Sequence, residues 1–449
     1  MTKSWKIALP LAALVLVPGY AAVQAAAETD TYKELDALID VFERVRVTYV
    51  DQVDDKTLVR GAINGMLASL DPHSSYLAGR DYDALKQTTD GEYSGLGLTV
   101  TSEDGVVKVV TPTDDTPAAR AGIKAGDYIT HLDDELIYGA SLNDAVDKMR
   151  GAAGTRIKVT VVRQGEPKPL EFTLTREVVV IKPVKWETRG SVGLIRISTF
   201  NNRTGDATRA AVEGIKAKLG AGVAGYVIDL RSNPGGLLDE AIKVSDVFLE
   251  GGEVVSERRR AKNDVDHHYA RSGDLTDGKP VVVLVDEGTA SAAEIVAGAL
   301  QDHRRAIVLG QRSFGKGSVQ TVYPLSTDTA LRLTTARYYT PSGRSVQENG
   351  IDPDIIVPQL SDPRVAERKP VREADLKKHL INEVKDSTSQ LVEQDGAPDP
   401  RFLAKADELK AKGVLDYQLD YAARLIARLA PPAPPPVQVA ATGPRSATR

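Results

Sequence analysis

Val281-Val-Val-Leu-Val285-Asp-Glu-Gly-Thr-Ala-Ser291-Ala-Ala-Glu294 is the stretch from which the rest of the chain can be read. Its five consecutive apolar residues predict a buried strand that ends in a polar turn. Small residues from Ser291 to Leu300 then predict a helix. One hydroxyl is thereby set at a helix N-terminus, beside backbone N–H groups free to stabilise a developing oxyanion. Downstream, Gly315-Lys316-Gly317-Ser-Val-Gln320 brackets a lysine between glycines. Lysine acts as a general base only where desolvation lowers its pKa, and a Ser/Lys pair of this kind carries out hydrolysis. Taken singly, the serine reads as an ordinary N-cap and the lysine as a solvated loop residue. The organisation around them decides between the two readings.

One competing motif fails on its own terms. Gly310-Gln-Arg-Ser-Phe-Gly315-Lys316 fits a phosphate-binding loop up to its last position. That loop needs Ser or Thr after the lysine to hold Mg²⁺, and position 317 is Gly. It also needs a helix next, whereas Gly317-Ser-Val-Gln-Thr-Val-Tyr-Pro324 is β-branched and predicts a strand. The acidic strand Val281–Asp286 precedes the lysine instead of following it. A nucleotide-hydrolysing function is therefore set aside.

Composition narrows the classes further. The 449 residues carry a net charge of −5, which argues against nucleic acid as the main partner. The absence of cysteine removes disulfides, thiolate metal sites and a thiol nucleophile. The six histidines form no metal-binding spacing, so neither metal nor cofactor is expected, and His267-His268 read as solvated. At the N-terminus Lys3 and Lys6 precede a short apolar core, Ile7 to Val17, and small residues from Ala21 to Ala27. This is the pattern of an export signal cleaved after Ala25 or Ala27, too short for the ~20 residues of a membrane span. A periplasmic location is the expectation.

Along the chain, Leu35, Leu38, Ile39, Phe42 and Val45 lie at helical spacing, as do Leu58, Ala62, Met66, Leu67 and Leu70. Packing within the subunit or a contact between copies would satisfy both helices. From 91 to 178 the pattern becomes β-rich, with strands at Val107–Val110 and Ile157–Val162 around one helix, Leu142–Met149. Here Gly95-Leu96-Gly97-Leu98 leads into Thr99-Val100, and Pro117-Ala-Ala-Arg-Ala-Gly-Ile-Lys-Ala-Gly-Asp127 follows. The pair resembles a PDZ domain, whose loop amides capture a peptide C-terminus while the peptide adds a strand to a sheet edge. Leu98 stands where that family usually has Phe, and it keeps the pocket apolar.

Residues 190 to 310 alternate strand and helix. Strands are expected at Val192–Ile197, Tyr226–Leu230, Val281–Val285 and Ala306–Leu309, with helices at Ala207–Leu219, Leu237–Leu249 and Ala292–Leu300. This is an α/β core with a largely parallel sheet. Asp229-Leu-Arg231-Ser-Asn233-Pro-Gly235-Gly236 occupies a strand-to-helix turn whose glycine amides can face the nucleophile. Beyond 360 the chain is charged, with helices expected at Glu373–Leu380, Arg401–Lys412 and Leu415–Leu429. It ends in Pro431-Pro-Ala-Pro-Pro-Pro436 and a tail read as extended or disordered.

These motifs, in this order, resemble the carboxyl-terminal processing serine peptidases with an embedded PDZ domain. Leu70-Asp-Pro-His-Ser-Ser-Tyr76, Tyr338-Tyr-Thr-Pro-Ser-Gly-Arg344 and Arg372-Glu-Ala-Asp-Leu376 extend the likeness over about residues 31 to 430. The resemblance implies a multidomain α+β protein, with a PDZ β-sandwich or barrel inserted beside a crotonase-like α/β peptidase core and helical regions at both ends. It divides the chain into a leader (1–27), a helical region (28–90), a PDZ domain (91–178), the core (179–360), a second helical region (361–430) and the tail (431–449). By the same resemblance Ser291 is the nucleophile, Lys316 the general base and Gln320 the residue that orients the lysine amine. The even spacing of 316 and 320 on a strand agrees. The oxyanion hole would be the Ala292 amide with that of Gly235 or Gly236. Gly95, Leu96, Gly97 and Leu98 would bind the substrate C-terminus. Arg150 would couple PDZ domain to peptidase, unless it is a plain surface arginine. The implied partners are polypeptides with apolar C-termini, such as periplasmic lipoproteins or cell-wall hydrolases, together with an activating adaptor and further copies of the chain.

Overall fold

A computed structural model describes residues 17–103, 105–362, 371–383 and 404–430. Most of the expected leader, the tail and the start of the helix expected at 401–412 lie outside the described residues. The chain forms two compact units, 1–70 and 71–449. The first consists of the helices Val17–Thr48 and Asp55–Ala68. Asp54 caps the second by accepting a hydrogen bond from the Thr57 N–H at 3.1 Å. No described helix is long and apolar enough to cross a membrane.

Within the second unit, an antiparallel sheet of Leu98–Glu103, Val106–Pro112, Tyr128–Leu132, Arg156–Val162 and Leu170–Thr175 is closed by the helices Pro117–Ala121 and Leu142–Met149. Alternate residues Ile157, Val159 and Val161 face its core with Ile129, Val107 and Val109. Leu98–Glu103 is an edge strand, beside the Leu142–Met149 helix in the same apolar cluster. The chain enters and leaves this sheet through one two-stranded ribbon, Glu92–Gly95 paired antiparallel with Glu177–Val180.

The remaining core is built on a six-stranded sheet ordered Val184–Arg189, Val192–Ile197, Gly225–Asp229, Val281–Val285, Ile307–Gly310 and Ile355–Ile356. Only the first pair is antiparallel. The apolar run at 281–285 is buried throughout because both faces are covered. Val281, Val283 and Val285 pack toward the helices Thr204–Leu219, Leu238–Phe248 and Ala292–Asp302. Val282 and Leu284 face the opposite way, onto Leu419, Ala422 and Ile426 of the helix Tyr417–Leu429. That C-terminal helix therefore completes the core. Arg231 anchors its start by donating to Asp229 (2.9 and 2.8 Å) and to the N-cap Asp416 (2.9 and 2.7 Å).

Two expectations are corrected. The strands Gly252–Arg259 and Val265–Ala270 form a hairpin in a second, antiparallel sheet with Ser75–Ala78, Thr329–Tyr339 and Ser318–Pro324. His267 and His268 lie on this hairpin, where they pair with Glu253 (3.0 Å) and Glu257 (3.1 Å); His267 is exposed to solvent as expected and His268 partly so. The helix expected at Glu373–Leu380 is only a 3₁₀ turn, Glu373–Asp375. Lys378 takes a positive φ of 61°, which ends any helix, and the Glu373 side chain is drawn into the interior by the partners described below.

Candidate active site

Parallel pairing sets the carboxyl ends of Gly225–Asp229 and Val281–Val285 side by side, so the turns that follow them touch. The Ala290 N–H donates to the Asn233 carbonyl at 2.9 Å, and the Thr289 hydroxyl to the Leu230 carbonyl at 2.9 Å. Ser291 stands at the exit of this pair of turns with φ 55° and ψ −120°, a conformation that costs energy for any residue with a side chain. The helix behind it is fully buried from Ala292 to Leu300.

Two side chains hold Ser291 and Lys316 together through their backbones. The Glu294 carboxylate Oε2 accepts from the Ser291 N–H (2.7 Å) and from the Lys316 N–H (3.0 Å). Its Oε1 accepts from the Gly315 N–H (2.7 Å) and the Ser313 hydroxyl (2.5 Å). The buried Tyr338 hydroxyl meets the carbonyls of the same two residues, Ser291 at 3.1 Å and Lys316 more closely. A carboxylate thus fixes the two N–H groups, and a phenol the two carbonyls. Burial pushes the Glu294 carboxyl up to about 7, against the four bonds donated to it.

The Lys316 amine is held below the ordinary lysine range, first by burial and then by the nearby Arg332 charge. The carboxylates of Glu373, Glu294 and Asp71 oppose this. Ser291 Oγ and Lys316 Nζ are not hydrogen-bonded to each other here; such contacts often tighten only when substrate binds. Gln320 is not hydrogen-bonded to Lys316 here. Its amide donates to the hydroxyls of Ser318 (3.0 Å) and Thr334 (3.3 Å). The strand begins only at Ser318, and its register shifts between Val319 and Gln320, so the two-residue period does not run from 316 to 320.

Gly235 lies against the turn that carries Ser291, and Gly236, next in the chain, against the Phe200 backbone. A Cβ on Gly235 would come within 2.8 Å of the Ser291 Cβ and 2.9 Å of the Ala292 nitrogen, so only glycine permits this approach. The Gly235 N–H is committed to the Asn233 side-chain oxygen at 2.9 Å. Among the described residues, the N–H groups of Gly236 and Ala292 donate to no protein group.

In the other sheet, Gly95 closes the ribbon strand and Leu96 is buried. Gly97 has φ 76°, and Leu98 opens the edge strand. The N–H groups of Leu96 and Gly97 donate to no described residue, as a carboxylate-capturing loop requires. Arg150 lies 5.7 Å from the ring centre of Tyr93 on the ribbon, and among the described residues its side chain makes no ion pair with the peptidase core. Arg176, which the sequence did not single out, is more firmly placed. It donates to the carbonyls of Lys148 (2.8 Å) and Met149 (3.1 Å), tying the end of the Leu142–Met149 helix to the ribbon strand that follows it.

Residues 191–357 match the model for peptidase family S41, residues 94–174 that for a PDZ domain, and residues 19–80 that for the activating protease CtpB N-terminal domain. The chain is 54% identical over 333 residues to the carboxy-terminal-processing protease of Bartonella bacilliformis, covering 74% of this chain and 77% of that protein. It is 34% identical over 351 residues to the carboxy-terminal processing protease CtpB of Bacillus subtilis, covering 76% of this chain and 72% of that one. The solved photosystem II D1 C-terminal processing protease is 32% identical, with a TM-score of 0.42, over 71% of this chain and 92% of that one. With a PDZ domain beside an S41 core, the chain belongs to the carboxy-terminal-processing serine proteases.

Proposed function

We propose that Ser291 is the nucleophile of this protease and Lys316 its general base. The observation that carries this is the double backbone clamp, in which Glu294 and Tyr338 each meet both Ser291 and Lys316. Lys316 Nζ takes the Ser291 Oγ proton as Oγ bonds to the scissile carbonyl carbon. The resulting ammonium returns that proton to the amide nitrogen as the C–N bond breaks. Water, deprotonated by the same amine, then bonds to the acyl carbon, and the ammonium returns that proton to Ser291 Oγ as the ester C–O bond breaks and the new C-terminus leaves. The oxyanion would be held by the N–H groups of Ala292 and Gly236, since that of Gly235 is already committed to Asn233. With the Gln320 NH₂ donating to Ser318 and Thr334, its carbonyl oxygen is the end that remains to accept from Lys316 and orient the amine.

The loop Gly95–Leu98 would capture a free, apolar substrate C-terminus, which then extends along the Leu98–Glu103 edge. Gly97→Ala should disrupt this loop, because a Cβ there lies 2.3 Å from the Thr116 side chain at a φ of 76°. Its affinity for an apolar C-terminal peptide is expected to fall about tenfold or more by fluorescence anisotropy. The same peptide with an amidated C-terminus should bind the parent equally poorly. Unchanged affinity in both cases would show that capture occurs elsewhere. Arg150, against Tyr93 on the ribbon, would report PDZ occupancy to the core.

We further propose that the chain is exported to the periplasm and acts as a homo-oligomer on envelope lipoproteins or cell-wall hydrolases, activated by an adaptor. The half-exposed Leu35, Leu38 and Ile39 of the first helix, in a region that matches the N-terminal domain of the activating protease CtpB, support assembly through it. The form released by osmotic shock is expected to begin just after Ala25 or Ala27 and to sediment as more than one copy. A cytoplasmic, full-length monomer would contradict both statements.

A further inference from the structure

The catalytic proposal gives no part to the loop Asp71–Ser75 or to Glu373, yet both stand beside Lys316. His73 Nε2 lies 2.9 Å from each oxygen of the Glu373 carboxylate, and the Gln347 amide donates to Oε1 at 3.1 Å. Glu373 is fully buried, and of the carboxylates acting on Lys316 it has the largest influence. The other two are saturated. Glu294 accepts four bonds, and Asp71 accepts four more, from the N–H groups of His73 (2.8 Å) and Ser74 (2.9 Å) and the hydroxyls of Ser74 (2.7 Å) and Thr334 (3.1 Å). The same loop also fixes Arg332, whose Nε donates to the His73 carbonyl and the Ser75 hydroxyl, both at 3.1 Å.

A buried amine beside an unpaired carboxylate is held as ammonium in an ion pair, and an ammonium cannot deprotonate serine. Without His73, Glu373 would keep, among the described residues, only the Gln347 bond on Oε1, and its Oε2 would be open to Lys316. We propose that His73 is a positioning residue for the base: by occupying both oxygens of Glu373, it prevents that carboxylate from capturing Lys316. This rests on Lys316 being the base. The charged groups acting on the amine are Arg332 on the long strand, Glu373 on the 3₁₀ turn, Glu294 at the clamp and Asp71 on the loop, while Tyr338 meets the Lys316 carbonyl and His73 meets Glu373. His379, bonded to Glu348 at 2.7 Å, also feels Glu373.

The test compares kcat/KM against pH for cleavage of an unfolded protein by the full chain, read above about pH 7.5. The variants are His73→Ala, His73→Gln, Glu373→Gln and the double variant His73→Ala/Glu373→Gln. In His73→Ala the rising limb is expected to move about one pH unit upward, a loss of roughly tenfold near neutrality. In Glu373→Gln the limb moves downward. His73→Gln, which keeps an N–H donor, should recover most of the loss, and in the Glu373→Gln background His73→Ala should move the limb no further. A folding defect lowers every point of a profile by one factor without shifting it. A uniform loss in His73→Ala, or a shift that persists without the Glu373 carboxylate, would overturn the proposal. Full activity in Lys316→Ala, measured alongside, would instead refute the base assignment.

Discussion

Ser291→Ala is expected to lower the rate of peptide-bond cleavage by roughly 10⁴-fold or more, with the thermal midpoint nearly unchanged. The substitution removes only Oγ. The Ser291 N–H still donates to Glu294, its carbonyl still meets Tyr338, and alanine occupies the same strained backbone at no added cost. Lys316→Ala should be about as damaging, for a different reason. The nucleophile remains but has no group to receive its proton, since the other titratable groups at the clamp, Glu294 and Tyr338, are committed to the backbone. Loss of the amine should not unfold the protein, because it is a buried polar group that makes no salt bridge among the described residues, and its removal relieves a desolvation cost. Cleavage of a labelled, unfolded casein-type substrate, with unfolding curves for each variant, separates these effects. Retained cleavage in either variant would remove that residue from the mechanism. Strong destabilisation of Ser291→Ala would mean that the hydroxyl carries structural weight the geometry does not assign to it.

The strands and turns that build this site could be read in the sequence because their signals are local. Val281–Val285 is a continuous apolar run, and Ser291 follows it at a strand-to-helix turn, so strand, nucleophile and helix all follow from one stretch. The hairpin at 252–270 gave no such signal, since much of its surface is charged or polar and only Val254, Val255 and Ser256–Glu257 are buried. The role of Gln320 came from the resemblance, and the period-two spacing that agreed with it is broken by a bulge. Glu294 lay within the quoted stretch, and its spacing of three from Ser291 is that of a capping box; a carboxylate among alanines was the overlooked sign. The pairing of His73 with Glu373 spans 300 positions. Nothing local marks it, because each residue supplies half of a contact that exists only once the second sheet and the 3₁₀ turn are in place.

Glu294→Ala is expected to cost about 3–5 kcal/mol of stability and to reduce cleavage by roughly 10²-fold in the molecules that remain folded. Three buried N–H groups and the Ser313 hydroxyl would lose their acceptor at once, and the backbones of Ser291 and Lys316 would lose the oxygen they share. Glu294→Gln should lie between the parent and this variant, because an amide offers one acceptor oxygen where the site presents four donors. The pH dependence supplies a sharper criterion. A folded-state value of about 7, above the ordinary 4.5, means the folded protein holds a proton there between those limits that the unfolded chain has released. The contribution of Glu294 to stability is therefore fully present below about pH 4.5 and is lost as pH rises through about 7, a change of about 3 kcal/mol. Activity should run the other way, since a protonated Glu294 must turn one oxygen from acceptor to donor against the N–H groups of the catalytic pair. Below neutrality the parent should thus become more stable through this group while it becomes less active. Denaturant unfolding and cleavage, each measured from pH 5 to 8 on the parent and Glu294→Gln, should show both slopes in the first and lose this group's contribution to each in the second. If the parent and the variant gave parallel stability profiles, Glu294 would titrate alike in the folded and unfolded states, and the clamp would hold its two residues without any link to pH.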